Sequence, residues 1–289
     1  MGERFARRYE RCGAKRMDTI MISVIIATKN GERFIERVIR SVLRQEGVDF
    51  EVVVVDDAST DGTANIVHAI ASRDARVRYF YRAKNEGPGR ARNFAVAQAK
   101  GGYVAVIDDD DEWPDTNKLR EQVGFLEAHP EYVLVGSGCV RVVDELENIL
   151  FEQRYPKNDE QIRASILGRN CFAHSGALYR KDVFQQLGGY KDMRLAEDYD
   201  LWLRMGAVGK FANLDTFCIN WTQRAGSVSA KKKWKMNLIT LGLIWNYKKQ
   251  YPYVMRALVR GVARLVWYGV LGLSSPYALI KKNGFPRKP

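Results

Sequence analysis

The apolar positions of this chain change period along its length, and the changes mark out its elements. Met21–Thr28 (MISVIIAT) is a nearly continuous apolar run rich in Ile and Val, the composition of a strand buried on both faces of a parallel sheet. Asn30-Gly31 ends it. Over 32–45, Phe34, Ile35, Val38, Ile39, Val42 and Leu43 recur at three- and four-residue intervals, the stripe of an amphipathic helix. Residues 50–55 give a second apolar strand and 61–72 a second helix, with Asp61 as its N-cap. A strand at 77–81, a helix at 88–99 and a strand at 102–107 follow, the last running straight into four aspartates. This alternation predicts a parallel sheet with helices on both faces.

The second half is less regular. Strands are expected at 131–143, 148–154, 175–179 and 211–221, and helices at 159–167, 181–187 and Glu197–Met205, the last opening on acidic residues. No internal repeat or low-complexity tract interrupts them. After Ser229 the texture changes to two helices, 231–247 and 253–271, divided at Tyr251-Pro252. In the second, Arg256, Arg260 and Arg264 recur every four residues and share a face. Met255, Leu258, Val259, Val262, Leu265 and Val266 are expected on the opposite face, with Trp267 and Tyr268 near its end. Such a helix suits a bilayer surface. The longest uncharged run, 265–280, has 16 residues and contains Ser274-Ser275-Pro276, short of the ~20 a spanning helix needs.

Charge sharpens the division. The 289-residue chain carries a net +12, yet 230–289 holds 13 Lys/Arg and no Asp or Glu. The remainder holds 33 basic and 34 acidic residues, a net of −1. The excess therefore belongs to an appended basic surface. The regular apolar stripe beside it favours an anionic membrane over nucleic acid as partner. The four cysteines, Cys12, Cys139, Cys171 and Cys218, form no C-x-x-C pair, so neither a disulfide nor a zinc site is expected, and a reducing cytosol is. Residues 1–20 lack the apolar core of a secretory signal and are read as a flexible basic leader, with Met17 and Met21 as alternative starts. The expected organisation is this leader, a catalytic domain at 21–229 and a basic helical tail at 230–289.

Asp108-Asp109-Asp110-Asp111 follows a buried strand directly. Strand C-termini in open α/β sheets are where ligands bind. Adjacent carboxylates repel one another unless a cation is present, and oxygen ligands of this kind suit Mg²⁺ or Mn²⁺ on a diphosphate. A solvated acidic turn ahead of the helix after Pro114 is the plain alternative. Asp56-Asp57 also ends a buried strand, where Asp57 is free to meet a nucleobase or ribose if Asp61 supplies the cap. Glu197-Asp198 complements the dipole of the helix it opens, or supplies a carboxylate for proton transfer.

Five segments in order, SVIIATKN, VVVDDASTDGT, NEGPGRARN, GGYVAVIDDDDEW and AEDYDLWLR, resemble the inverting glycosyltransferases of family 2. The resemblance runs from about Ile22 to Ser229. It implies an α/β GT-A fold, a Rossmann-like mixed sheet flanked by helices, here with a C-terminal helical appendage. It also implies that Ala27, Thr28, Lys29 and Asn30 lie against the nucleobase of a nucleotide-diphosphate sugar and that Asp57 contacts the base. Arg92, in the third segment, would bind the donor. Asp109 would touch the ribose, Asp110 would ligate Mn²⁺ or Mg²⁺ with Asp108 completing the D-x-D motif, and Asp198 would be the catalytic base. Ala27 and Lys29 replace the usual Pro and Tyr, and Arg224, in WTQRAGSVS, stands where His is frequent, placed to clamp the diphosphate.

The implied activity is sugar transfer with inversion to a glycan or lipid-linked acceptor, in cell-surface polysaccharide or glycolipid synthesis, on the inner face of the plasma membrane. A nucleotidyltransferase is the first rival. It wants a Gly-rich loop after the first strand, and ATKNGERF has one glycine. A non-catalytic membrane-surface protein is the second. Donor sugar, acceptor and oligomeric state are not specified by these residues.

Overall fold

The computed structural model describes residues 21–193, 195–224 and 233–267. The expected leader, and the tail beyond 267, lie outside the described residues. The first half alternates as its apolar pattern requires: β1 (Met21–Thr28), α1 (Ile35–Leu43), β2 (Asp49–Asp57), α2 (Thr63–Ala71), β3 (Val77–Arg82), α3 (Pro88–Gln98) and β4 (Tyr103–Val106). Then come α4 (Lys118–Ala128), β5 (Tyr132–Val143), β6 (Ile149–Arg154), α5 (Asp159–Ile166), β7 (Leu178–Arg180), α6 (Lys181–Gln186), α7 (Glu197–Met205) and β8 (Lys210–Thr222). The helices α8 (Lys233–Tyr247) and α9 (Val254–Leu265) close the described chain.

The strands form one mixed sheet in the order β3-β2-β1-β4-β7-β5-β6, with β8 pairing β5. The β1–β2, β1–β4 and β2–β3 pairs are parallel, and β7 runs antiparallel to β4 and β5. Because side chains alternate across a strand, each apolar run feeds two cores. Ile22, Val24, Ile26, Val52 and Val54 pack with Ile35, Val38, Ile39 and Val42 of α1 and with Leu119 and Val123 of α4. Ile25, Val53, Val55, Val104 and Val106 face Ala91 and Ala95 of α3, Trp202 of α7 and Ile244 of α8. This double burial is why these strands read as continuous apolar runs.

Parallel register also sets the functional edge. Thr28 pairs with Asp56, and Ile25 with Val106, so the ends of β1, β2 and β4 finish side by side. The loops carrying Thr28–Asn30, Asp56–Asp57 and Asp108–Asp111 therefore share one rim.

Three expectations are corrected. Residues 175–179 do not form a strand throughout: His174–Gly176 is a 3-10 turn and β7 starts at Leu178. The turn lets Ser175 Oγ accept from the Asp108 amide and donate to Asp111 Oδ2. The expected absence of a disulfide is overturned, because Cys139 and Cys218 are bonded. They lie 79 residues apart in sequence, but parallel β5 and β8 make them register partners with Cα atoms 4.6 Å apart. Chain spacing carries no sign of that pairing.

The third correction concerns α9, whose apolar and basic residues do not take opposite faces. The buried face is made of small residues, Ala257 and Gly261, and a Cβ on Gly261 would meet Leu241 Cδ2 at 2.5 Å. Close packing on α8 therefore turns Met255, Val259, Val262 and Val266 outward, all at least 43% exposed, next to exposed Arg256 and Arg260. Arg264 instead folds back onto the Gly168 carbonyl. The helix pair is docked on the sheet domain through Tyr247, which donates to Asp200 Oδ1 (2.7 Å), and Tyr251, which donates to the Leu203 carbonyl (2.8 Å). Among the described residues no helix is long and apolar enough to cross a membrane.

Candidate active site

The four consecutive aspartates are held in four different ways. Asp111 is fully buried and ties β8 to the turn: Thr222 donates its amide to Asp111 Oδ1 (2.9 Å) and Ser175 Oγ donates to Oδ2. Burial, with Asp110 and Asp108 close by, pushes its carboxyl far above the usual range. Asp108 accepts from Arg92 Nη2 at 2.7 Å and lies 2.9 Å from His174 Nδ1. Burial works against its charge, but His174 and Arg92 outweigh it and hold the carboxyl well below normal.

Asp109 and Asp110 are neutralised from a different side. Asp109 Oδ2 accepts from Thr28 Oγ1 (2.7 Å) and from the Lys29 amide (3.4 Å). Their common cation is Arg224, with Nη2 3.3 Å from Asp109 Oδ1 and Nε on Asp110 Oδ2. Burial raises Asp110 to about 7, opposed by Arg224 and reinforced by Asp109 and Asp108, and burial raises Asp109 as well.

A buried brace joins this turn to the second acidic motif. Arg92 sends Nη2 to Asp108 and Nη1 to Glu197 Oε1, both at 2.7 Å, with its guanidinium 5.8 Å from the centre of the Tyr190 ring. α3 thus locks β4 to the start of α7. Asp198 stands next to Glu197, and its Oδ2 accepts from Asn170 Nδ2 (2.9 Å). Burial raises its pKa, helped by Glu197 and opposed by His174 and Arg92. His174 spans the gap, with Nε2 3.1 Å from the Tyr190 hydroxyl while Nδ1 faces Asp108.

The sequence-selected residues therefore do not all face one space in the same way. Thr28, Lys29, Asp109, Asp110 and Arg224 meet directly. Ala27 packs half-buried against the core, and Asn30 bonds to Ser59 and Thr60 of the neighbouring loop. Asp57 takes the amides of Glu86 (3.1 Å) and Gly87 (2.8 Å) and so fixes the turn before α3. Asp61 accepts from the Thr63 amide at the start of α2, while Asp56 accepts from the Ser59 amide and the Tyr79 hydroxyl. Arg92 and Asp108 are engaged with each other.

Residue motifs missed His174, Asn170, Ser175 and Thr222. Each is an isolated polar residue: Thr222 sits at the end of β8, His174 and Ser175 in the 174–176 turn, and Asn170 in the loop before it.

The donor set fits a hard divalent ion. Asp109 and Asp110 are carboxylates on a guanidinium that stands where a cation is needed. Among the described residues these aspartates do not converge with a third acid into a closed cage. Mg²⁺ and Mn²⁺ sites of this type keep open positions for phosphate and water.

The family described as "Glycosyl transferase family 2" matches residues 23–188. The O-antigen biosynthesis glycosyltransferase WbnJ of Escherichia coli is 31% identical over 186 residues, 64% of this chain and 71% of WbnJ. The succinoglycan biosynthesis protein ExoO of Rhizobium meliloti (strain 1021) is 35% identical over 62% of this chain, and the match spans 54% of ExoO. Among solved structures, the mannosyltransferase PcManGT from Pyrobaculum calidifontis, in complex with GDP-Man and Mn²⁺, superposes with a TM-score of 0.63 at 19% identity, over 97% of this chain and 86% of its own. S. aureus TarS in complex with UDP-GlcNAc gives 0.61 at 21% identity, over 86% and 73%. These likenesses agree with the mixed sheet described above, and the matched segment contains the first four of the five motifs. The chain belongs to glycosyl transferase family 2.

Proposed function

We propose that this glycosyltransferase moves a sugar, with inversion at the anomeric carbon, from a nucleotide-diphosphate donor to an acceptor hydroxyl, with Mn²⁺ or Mg²⁺ as cofactor. The observation that carries the reading is the Arg92 brace, which fixes the aspartate turn and the Glu197-Asp198 pair in one site. Inversion needs one in-line displacement. The acceptor oxygen forms its bond to the anomeric carbon as the bond to the diphosphate breaks, and a carboxylate takes the hydroxyl proton. Asp198 is that base: burial raises its proton affinity, and Asn170 holds its carboxylate in place through Oδ2.

Asp110, with Asp109, would hold the metal, which when bound supplies positive charge against the departing diphosphate. Thr28, Lys29 and Asn30 would line the base and ribose end of the donor. Asp57 would position the loop beside it, and Arg92 and Asp108 would orient the site from behind. The names of WbnJ and ExoO support a surface polysaccharide or glycolipid as product. A nucleotide-sugar screen tests the reading: metal-dependent release of nucleoside diphosphate coupled to glycoside formation is expected, and no turnover of any nucleotide sugar would refute it.

The acceptor is proposed to be lipid-linked and met at an anionic cytoplasmic leaflet. The cytosolic assignment no longer has cysteine usage behind it, since Cys139 and Cys218 pair. Its support is the exposed strip of Met255, Val259, Val262 and Val266 flanked by Arg256 and Arg260, with Trp245 61% exposed on α8. Apolar insertion and ~1 kcal/mol per basic residue near an anionic leaflet add together. Vesicle co-sedimentation checks this. Binding should require anionic lipid and fall with salt, and equal binding by Met255→Asp/Val259→Asp protein would contradict it.

A further inference from the structure

Asp108 is neutralised from behind by Arg92 and His174, whereas Asp109 and Asp110, each with a side chain 13% exposed, share one cation among the described residues, Arg224. The backbone that delivers Arg224 is pinned almost to its Cα. Thr222 donates its amide to Asp111 and its hydroxyl to the Asp110 carbonyl, and the Gln223 amide donates to the Val143 carbonyl. The disulfide between Cys139 and Cys218 and the register of β5 with β8 hold the strand behind it.

The side chain itself is held more loosely. It is 34% exposed and bears on the buried Phe34 ring, 5.3 Å from the ring centre, and its ion pairs among the described residues are those with Asp109 and Asp110. This contrasts with Arg92, which is 10% exposed and locked between two acids and an aromatic ring. A firmly anchored backbone carrying a half-exposed guanidinium on two carboxylates is a tethered counter-ion.

We propose that Arg224 is an intramolecular surrogate for the divalent cation: it neutralises Asp109 and Asp110 in the metal-free enzyme, is displaced when the metal arrives, and then turns to the donor's diphosphate. The inference rests on the metal reading above. Two carboxylates cannot hold a guanidinium and a divalent ion at the same oxygens, so metal entry costs the enzyme its Arg224 ion pairs. The freed guanidinium, on the same short leash, is left beside the only new anion in the site, and a planar fork of donors suits phosphate oxygens. Arg224 therefore opposes metal binding before the donor arrives and favours donor binding afterwards. A residue that only clamps the diphosphate, or only stabilises the loop, would not act with opposite signs in the two steps.

The test is a pair of titrations on the full chain, wild type against Arg224→Gln. Mn²⁺ binding without nucleotide is read from the free-Mn²⁺ EPR signal. Binding of UDP, and of GDP, at saturating Mn²⁺ is read by calorimetry. Arg224→Gln should bind Mn²⁺ about tenfold more tightly, the effect of ~1.4 kcal/mol from losing a competing charged hydrogen bond. It should bind the preferred nucleoside diphosphate about tenfold more weakly. Arg224→Lys, which keeps the charge but not the fork, should stay near wild type for Mn²⁺ and fall toward the Gln variant for the diphosphate. Equal or weaker Mn²⁺ binding by Arg224→Gln overturns the surrogate. If neither protein binds Mn²⁺ even with nucleotide present, the metal reading itself fails, and the surrogate with it.

Discussion

Replacing Arg92 with Met removes the one cation shared by Asp108 and Glu197 while keeping most of the side-chain volume. Glu197 is 8% exposed and has no other cation bonded to it among the described contacts, whereas the Asp108 side chain is 29% exposed and retains His174. Breaking a buried pair by removing one partner costs ~3–5 kcal/mol. Water and His174 offset part of the loss at Asp108, so the lower end, ~3 kcal/mol, applies. For a domain of this size ~1 kcal/mol moves Tm by ~2–4 °C, which gives a fall of about 6–12 °C.

Differential scanning calorimetry measures the fall, with Arg92→Lys as control. Lysine keeps the charge but offers no fork to bridge two carboxylates, so it should lie between Met and wild type. Adding Glu197→Gln to Arg92→Met should restore part of the loss by removing the orphaned charge. An Arg92→Met protein melting within ~2 °C of wild type would show that the brace does not hold the two acidic motifs together.

Asp198→Asn should leave donor affinity near wild type and lower turnover by ~10²-fold or more, the scale of a lost general base; collapse of donor binding with turnover intact at saturation would make Asp198 a binding residue. Because burial raises the Asp198 carboxyl and the base must be ionised to act, kcat should rise with pH through a limb above the ordinary ~3.9 of aspartate, and that limb should disappear from the residual activity of the Asn variant. Asp110→Asn should abolish transfer and weaken metal binding by removing charge from the ion's ligands, and EDTA should mimic it; full activity in EDTA would sink the metal assignment.

The sheet was legible because parallel strands buried on both faces leave long apolar runs, as Met21–Thr28 does, and because the helices between them carry their stripe in three- and four-residue steps. The acidic motifs were legible because each sits on a strand or helix end whose position the alternation already dictates. His174 was not, although it stands between Asp108 and Tyr190: one histidine 66 residues from its partner leaves no spacing to read. Asn170 on Asp198 and Thr222 on Asp111 are likewise single polar residues 28 and 111 positions from their partners, and the Cys139–Cys218 bond depends on β8 lying beside β5. On α9 the period was right and the direction was not. Helical spacing gives the relative positions of Arg256 and Met255, but Ala257 and Gly261 decide the buried side, because small residues permit the close approach to α8.

The proposed reaction is inverting, metal-assisted transfer from a nucleotide-diphosphate sugar, with Asp198 as base. Proton NMR of the first-formed glycoside, from the donor the screen identifies, tests it most directly through the anomeric coupling. An α-linked donor should give only the β-glycoside, with Mn²⁺ present and not in EDTA, and the same product, formed far more slowly, with Asp198→Asn. An α-glycoside from wild-type enzyme, or the same rate from Asp198→Asn, would contradict a single displacement driven by that carboxylate.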